Sequence, residues 1–278
     1  MSVLAFTLIV LGAAFVAGLL GSLTGLGGGV IITPVLTLYL GVNIRYAMGA
    51  SLISVIATSS GAAVAYVREG FSNVRIGMFL EVATTFGALV GAALSGHVPT
   101  SALSLIFGVV LLHAAWQATH RHAEAGPEVA PDPLAESFQL GGHLPGLKES
   151  LTYRAHRVKQ GFAIMFGAGA LSGLLGIGSG SLKVIAMDRA MQLPFKVSTA
   201  TSNFMIGVTA AASAGIFLNR GYVEPGIVMP VMLGVLLGSM VGARFLARLP
   251  VNHLRIIFGV VVACVAVQMV LHGLGVKV

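Results

Sequence analysis

Two glycine motifs, 151 residues apart, offer the clearest chemistry in this sequence. They are Gly25-Leu26-Gly27-Gly28-Gly29 and Gly176-Ile177-Gly178-Ser179-Gly180, and Ser181 follows the second. Glycine lets a helix break, because it tolerates positive φ and lets other groups approach the backbone closely. A helix that starts after such a break directs free N–H groups and its positive dipole end toward it, which favours an anion. The motifs therefore predict a small-anion site. The alternative is that these glycines only allow close helix packing.

Two ionisable residues, Lys183 and Glu81, lie inside apolar stretches, where a charge normally faces a cavity or a partner. Lys183 follows the second glycine motif by three residues, so it is a candidate counter-charge for the anion. Its alternatives are a snorkelling lysine and a structural ion pair with Asp188. Glu81 is a candidate carrier of a coupling proton. Its alternative is a carboxylate that caps a buried arginine such as Arg75 or Arg45.

Ser51, Ser202 and Asn203 complete the candidate substrate site. Each follows the start of a long apolar segment, and the two serines occupy matching positions in the two halves of the chain. Their hydroxyl and amide groups are suited to donate hydrogen bonds to an oxyanion. The alternative is that they only form hydrogen bonds between helices.

The sequence lacks the motifs of other common sites. A dinucleotide fingerprint, G-x-G-x-x-G, requires glycine where the two motifs have Val30 and Ser181. Ser179 lacks the G-x-S-x-G spacing of a hydrolase nucleophile. His120-x-His122 is a paired histidine motif, but no cysteine or carboxylate completes a metal set. We therefore expect no cofactor, no metal ion and no enzymatic activity, with an intramembrane enzyme kept as a weaker alternative.

Both glycine motifs belong to an internal repeat. Residues 15–112 align with residues 166–263 without a gap, at about 25 identities. The matched pairs include Ser51 with Ser202, Thr58 with Thr209 and Gly87 with Gly238. A repeat of membrane-length segments broken by glycine is typical of secondary transporters.

The composition indicates a membrane protein. Hydrophobic residues make up 56% of the 278 residues and charged residues only 9%, against about 25% charged in an average soluble domain. A net charge of +7 would suggest a nucleic-acid partner for a soluble chain, but here basic residues on the cytoplasmic side explain it. The expected partners are therefore the lipid bilayer and a small anionic substrate, with no nucleic acid. A homo-oligomer stays open.

Hydropathy divides each half into five segments, most of them near the ~20 residues that cross a bilayer as a helix. They lie near residues 3–22, 28–40, 46–67, 74–96 and 101–118, and near 160–175, 181–193, 197–218, 225–247 and 253–272. The second segment of each half is too short to cross upright. We therefore expect it to form a hairpin with the first segment, meeting at the glycines. The proline-rich and charged connector between the halves is expected to be solvated, with a short surface helix near 148–158.

The predicted fold is all-α: a polytopic membrane protein with two inverted repeats of five helical segments each. The units are a first transmembrane repeat, 1–118, a cytoplasmic connector, 119–158, and a second transmembrane repeat, 159–278. Placing the connector in the cytoplasm puts 12 of the 16 basic residues inside, which agrees with the positive-inside rule. Both termini then lie outside. Each half has an odd number of crossings, so the two copies face opposite ways.

The motifs of this chain resemble those of the TauE/SafE family of membrane transporters, also known as sulfite exporters. The resemblance covers residues 8–118 and 160–272, and it rests on Gly25-Leu26-Gly27-Gly28-Gly29-Val30-Ile31-Ile32-Thr33-Pro34, Ala50-Ser51-Leu52, Thr58-Ser59-Ser60-Gly61 and the Gly87 to Gly91 stretch. It implies a substrate such as sulfite, thiosulfate, a sulfonate or a related small organic anion. The second half departs from the family pattern, because it lacks the proline and adds Lys183.

Together these features predict a secondary transporter of a small sulfur-containing or organic anion in the cytoplasmic membrane. It would work by alternating access and be coupled to an ion or a proton. The main alternative is an anion channel on the same scaffold.

The distribution of basic residues yields a testable topology. Single cysteines in the connector should be labelled from the cytoplasmic side, and single cysteines at either terminus from the outside. The measurement is labelling of intact cells with a membrane-impermeant thiol reagent. A terminus protected from the outside but reactive in inverted vesicles would contradict the inverted arrangement.

Overall fold

The computed structural model describes residues 2–24, 27–68, 72–119, 132–143, 152–178, 180–246 and 251–276. The first half contains α1 Val3–Thr24, α2 Gly29–Pro34, α3 Ile44–Arg68, α4 Val74–Ser95 and α5 Thr100–Thr119. The connector contains α6 Pro133–Ser137 and the strands β1 Gly141–His143 and β2 Thr152–Arg154. The second half contains α7 Val158–Leu175, α8 Gly180–Ile185, α9 Phe195–Asn219, α10 Pro225–Leu246 and α11 Val251–Gly273.

The all-α membrane fold is confirmed. Within the described residues, five helices are long and apolar enough to cross a membrane: α1, α4, α7, α9 and α10. The second segment of each half is short, as its length predicts. α2 and α8 continue only through single π-helical turns, Val35–Tyr39 and Ala186–Ala190. Each of these short helices packs against the preceding long helix, α2 against α1 and α8 against α7.

The prediction of a surface helix near 148–158 is wrong where the structure describes that segment. Residues 152–154 form β2, which pairs antiparallel with β1 through Gly142 and Tyr153. Along β2 the side chains alternate between exposed and buried, and Tyr153 is the buried one. An aromatic residue beside a β-branched one favours such a half-buried strand. The first part of the predicted helix, 148–151, lies outside the described residues.

Glycines allow two pairs of long helices to pack with their backbones in contact. A Cβ at Gly87 of α4 would overlap the carbonyl oxygen of Phe166 in α7, and a Cβ at Gly238 of α10 would overlap that of Phe15 in α1. These two contacts are related by the 151-residue repeat offset. The first helix of each half therefore packs against the fourth segment of the other half: α1 packs against α10, and α7 packs against α4.

The remaining long helices pair with their own repeat equivalents and run antiparallel. In α3 and α9, Gly49 lies against the Tyr222 carbonyl just beyond α9, whereas Ser59 bonds the Asn203 carbonyl near the other end. In α5 and α11, Gly108 lies against Val270, whereas Gly273 lies against Ser101. In these two pairs, the equivalent helices point in opposite directions.

The connector packs on one end of this bundle through Asn73. The Asn73 side chain caps α4 by accepting from the Ile76 N–H at 3.0 Å, and its amide donates to the Gly141 carbonyl and the Tyr153 hydroxyl, both at 3.0 Å. Its own N–H donates to the Thr201 hydroxyl of α9 at 3.0 Å. Asn73 thus joins the connector sheet to two helices of the bundle through its side chain and its backbone N–H.

The Asp132 carboxylate joins the connector to the second half, and its hydrogen bonds depend on its staying ionised. It accepts from the Leu134 N–H at 3.0 Å and from the Val158 N–H at 2.9 Å, so it caps α6 and α7 together. These backbone hydrogen bonds, that from Leu134 first, hold the pKa of Asp132 below its usual range.

We expect Asp132→Ala to speed hydrogen exchange at the start of α6 and α7 and to lower the melting temperature near neutral pH. Because the folded-state pKa is depressed, the stabilisation is present above the unfolded pKa of about 3.9 and is lost as pH falls through the folded value. The difference from wild type should therefore shrink at acid pH. Glu136→Ala is the control, since the Glu136–Arg154 ion pair is largely exposed and should contribute little. An unchanged exchange rate at Val158 would contradict the capping role.

Candidate functional site

The structure brings the two glycine motifs together in the middle of the bundle. Gly27 and Gly178 both have positive φ, 78° and 72°. A Cβ at either glycine would meet the same two side chains, Val55 of α3 and Ile206 of α9. Val55 and Ile206 are themselves equivalent in the repeat. The two backbone breaks therefore face a common point. Gly25 and Ser179, together with the side chain of Ser181, lie outside the described residues.

Ser51 and Ser202 hold the short helices against the long ones. Ser202 Oγ donates to the Gly180 carbonyl at 3.1 Å, and Ser51 Oγ lies 3.0 Å from the equivalent Gly29 carbonyl. Ser51 Oγ also lies 2.7 Å from the Gly176 carbonyl of the other half. This is the interhelical role that the sequence left as an alternative. Since each hydroxyl has one proton, donation to a bound anion stays a prediction and would require these bonds to exchange.

Gly28 forms a hydrogen bond to α3 through its backbone N–H. Its N–H donates to the Thr58 hydroxyl at 3.4 Å, and Thr58 donates in turn to the Ser54 carbonyl at 2.9 Å. The hydroxyl of α3 thus satisfies an N–H at the first backbone break, where no helical partner exists.

Lys183 and Glu81 form a buried ion pair. Lys183 Nζ lies 3.5 Å from Glu81 Oε2, and the Lys183 side chain is completely buried. The Thr209 hydroxyl lies between them, because it accepts from Lys183 Nζ and donates to Glu81 Oε1. Thr85 adds a donor to the same carboxylate oxygen at 3.3 Å. The pair joins α4, α8 and α9.

The sequence identified both charges but missed that they are partners. It offered Asp188 for Lys183, and Arg45 or Arg75 for Glu81. Arg45 instead donates to the Gly96 and Val98 carbonyls at 3.3 and 3.1 Å, and Arg75 donates to Gln139 at 2.7 Å.

A usable signal for this pair was present in the sequence. Two lone opposite charges inside apolar segments each need neutralisation, and they neutralise one another even though 102 residues separate them. Thr209 was missed because only the structure brings its hydroxyl between the two charges.

The Asn203 side chain is a polar group of the candidate site that could still form hydrogen bonds with a ligand. It is fully buried, and within the described part of the chain neither its amide oxygen nor its amide nitrogen has a hydrogen-bond partner. Its backbone carbonyl, by contrast, accepts from Ser59 Oγ at 2.7 Å. A buried amide left without partners is costly, so it marks a place for a ligand or an ordered water.

Neither charge of the site has a charged counterpart at its repeat-equivalent position. At the repeat offset, Lys183 corresponds to Ile32 and Glu81 corresponds to Met232, whereas Thr209 corresponds to Thr58. The backbone framework is therefore nearly symmetric and the charge is not. No group of three metal-ligating side chains lies together in the described ranges.

The sequence model of the sulfite exporter TauE/SafE family matches residues 10–269 of the chain, which includes both glycine motifs and the ion pair. The chain belongs to this family.

Several relatives share almost the whole length. The probable membrane transporter protein YunE of Bacillus subtilis is 29% identical over 275 residues, covering 96% of this chain and 97% of the relative. A second B. subtilis protein, the probable membrane transporter YdhB, is 27% identical over 85% of this chain and 89% of its own length. A probable membrane transporter of Methanocaldococcus jannaschii is 25% identical over 92% of each chain. No solved structure matches the chain.

The ion pair yields a prediction about stability. Lys183→Met alone leaves Glu81 buried without its counter-charge, and breaking a buried pair from one side typically costs about 3–5 kcal/mol. Lys183→Met combined with Glu81→Gln removes both charges and should restore most of that loss. The measurement is thermal unfolding of the purified variants in detergent. The pairing would be contradicted if the double variant were as unstable as the sum of the two single ones.

Proposed function

We propose that this protein is a secondary transporter that moves a small sulfur-containing or organic anion across the cytoplasmic membrane through the site between the glycine motifs. The observation that carries the proposal is the buried lysine, Lys183, beside the point where two backbone breaks converge. A cation at membrane depth is expensive unless it has a functional or structural partner. Membership of a family whose relatives are named probable membrane transporters supports the same function.

The substrate would lie against groups that can recognise an oxyanion. Lys183 supplies the positive charge, and the unpartnered amide of Asn203 supplies further hydrogen bonds. The glycines Gly27 and Gly178 lie directly against Val55 and Ile206, so an anion that binds there would move these side chains aside. Sulfite and sulfonates fit this description, because they concentrate negative charge on a compact set of oxygens.

Alternating access would come from movement of one repeat against the other. We propose that the two halves are inverted in the membrane, which the antiparallel packing of α3 with α9 and of α5 with α11 supports. The connector would then lie in the cytoplasm and both termini outside. The proposed units remain residues 1–118, 119–158 and 159–278.

The burial of the site supports a carrier over a channel. Ser51, Lys183, Ser202 and Asn203 are all fully buried, so the site is closed to solvent in this conformation. Polar contacts tie both ends of the bundle: Arg220 donates to the carbonyls at the end of α4, and Asn73 bonds α9 at the opposite end. A carrier needs such an occluded state, whereas an open channel does not. Accelerated exchange of labelled anion by unlabelled anion on the opposite side would support the carrier.

Substitutions at the converging glycines test the location of the site. Gly27→Leu and Gly178→Leu should abolish uptake of the anion by proteoliposomes, because the new side chains take the position against Val55 and Ile206 that the anion would need. Gly41→Leu and Gly221→Leu are controls for backbone strain, since both glycines also have positive φ, 64° and 72°, and a Cβ at either meets nothing within 4 Å.

Normal uptake by both the Gly27→Leu and the Gly178→Leu variant would show that these glycines only allow close packing. The substrate itself would be found by a thermal-shift screen of the wild-type protein against sulfite, sulfate, thiosulfate, sulfonates and carboxylates.

A further inference from the structure

We propose that the substrate and the Glu81 carboxylate compete for Lys183, so that the protein carries one monovalent anion together with one proton. In the empty site Lys183 is paired with Glu81. In the loaded site Lys183 is paired with the substrate, and Glu81 has taken up a proton. This inference rests on the proposed function and adds to it the charge class of the substrate and the coupling stoichiometry.

Within the described residues, the contacts of Lys183 lie in one cluster. Its ammonium group is fully buried and contacts Glu81 Oε2 at 3.5 Å and the Thr209 hydroxyl. An anion that reached this ammonium would have to share it with the Glu81 carboxylate. Two negative charges on one buried ammonium leave an uncompensated charge, so a proton on Glu81 is the change that admits the anion.

The ion pair borders the proposed substrate space. Ile206 contacts both glycine breaks, and Thr209 lies three residues further along α9, on the same face of that helix. Thr209 in turn contacts both members of the pair. A small anion beside Gly178 and Ile206 is therefore within reach of Lys183 with a modest change of side-chain conformation.

Charge balance explains why anion and proton would move together. The empty site holds one positive and one negative side chain, and the loaded site holds one positive side chain, one anion and a neutral Glu81. Both states are neutral overall, so both can rearrange inside a medium of low dielectric constant. A site with only the anion or only the proton carries a net charge, which the bilayer penalises.

Other ionisable groups on the packed elements lie near helix ends or in the π-helical turn, except His113 of α5, which lies beside Trp116. Besides Glu81, α4 carries Arg75 in its first turn, and α7 carries Lys159 and α9 carries Lys196 as their second residues. The turn that follows α8 carries Asp188 and Arg189. The hydrogen bonds and ion pairs that Glu81 makes in the described residues are to Lys183, Thr209 and Thr85.

The same balance predicts the charge of the substrate. One lysine neutralises one negative charge, and the repeat-equivalent positions of Lys183 and Glu81, which are Ile32 and Met232, offer no second cation. Hydrogen sulfite, alkyl sulfonates and monocarboxylates leave the loaded site neutral. Sulfate and thiosulfate are dianions and leave it with an excess negative charge. The site should therefore favour monoanions.

The first test uses the wild-type protein in proteoliposomes that contain a pH-sensitive dye, with the membrane potential clamped by potassium and valinomycin. An inward gradient of an alkyl sulfonate should acidify the interior, and uptake should be insensitive to the clamped potential. Sulfate should neither enter nor compete. Sulfonate uptake that leaves the internal pH unchanged, or that responds steeply to the potential, would overturn the proposal.

The second test compares Glu81→Gln with Glu224→Gln, the same chemical change at an exposed carboxylate. In wild type, sulfonate affinity should fall roughly tenfold per pH unit over the range where loading takes up one proton, as one-proton linkage requires. Glu224→Gln should keep this dependence. Glu81→Gln should lose it, bind more tightly than wild type at high pH, and retain exchange without proton-driven accumulation. A Glu81→Gln protein that keeps the wild-type pH dependence would overturn the proposal.

The outcomes separate this inference from the proposed function. If the wild-type protein binds no anion from the screen, the proposed function fails. If it transports anions with no proton movement, the function stands and the competition fails. Should Glu81→Gln not fold, the wild-type measurements of internal pH and of monoanion preference still decide the question.

Discussion

Backbone that leaves helical form inside a bilayer must find its hydrogen-bond partners within the protein, and the rest of this structure depends on that constraint. Two breaks, at Gly27 and Gly178, occur at the same depth and face the same side chains. Hydroxyl groups from α3 and α9 satisfy them: Ser51 and Ser202 bond carbonyls, and Thr58 accepts an N–H. The long helices must therefore pack closely around the breaks, which the glycine contacts between α1 and α10 and between α4 and α7 allow.

A symmetric framework with an asymmetric charge follows from this arrangement. The serines and the glycine contacts recur in both halves at the same offset, so the repeat maintains the bundle and its central space. Lys183 and Glu81 occur once, and their equivalents are apolar. In the function that we propose, the repeat would allow the movement that exposes the site to either side, and the single ion pair would select the charge of the substrate.

Much of this was predictable from local patterns. The lengths of the apolar segments predicted the ten helices of the two halves, both long and short. The glycine motifs predicted the positions of both backbone breaks. The connector was harder, because β2 is held by Tyr153 packing into a small core and by a bond to Asn73, which are contacts distant in sequence. The pairing of Lys183 with Glu81 was not predicted for the same reason, because the two residues are distant in sequence. The sequence offered Asp188 as an alternative partner for Lys183, and Arg75 or Arg45 as alternative partners for Glu81. The fold instead brings Lys183 of α8 to Glu81 of α4.

The central claim is that an anion displaces Glu81 from Lys183 between the two breaks. The most direct measurement is an experimental structure of the protein with hydrogen selenite, a monovalent analogue of hydrogen sulfite whose selenium is located by anomalous scattering. The account predicts one selenium peak beside Gly178 and Ile206, with an oxygen about 3 Å from Lys183 Nζ and Glu81 turned away. A selenium peak elsewhere, with the Lys183–Glu81 pair intact, would contradict it.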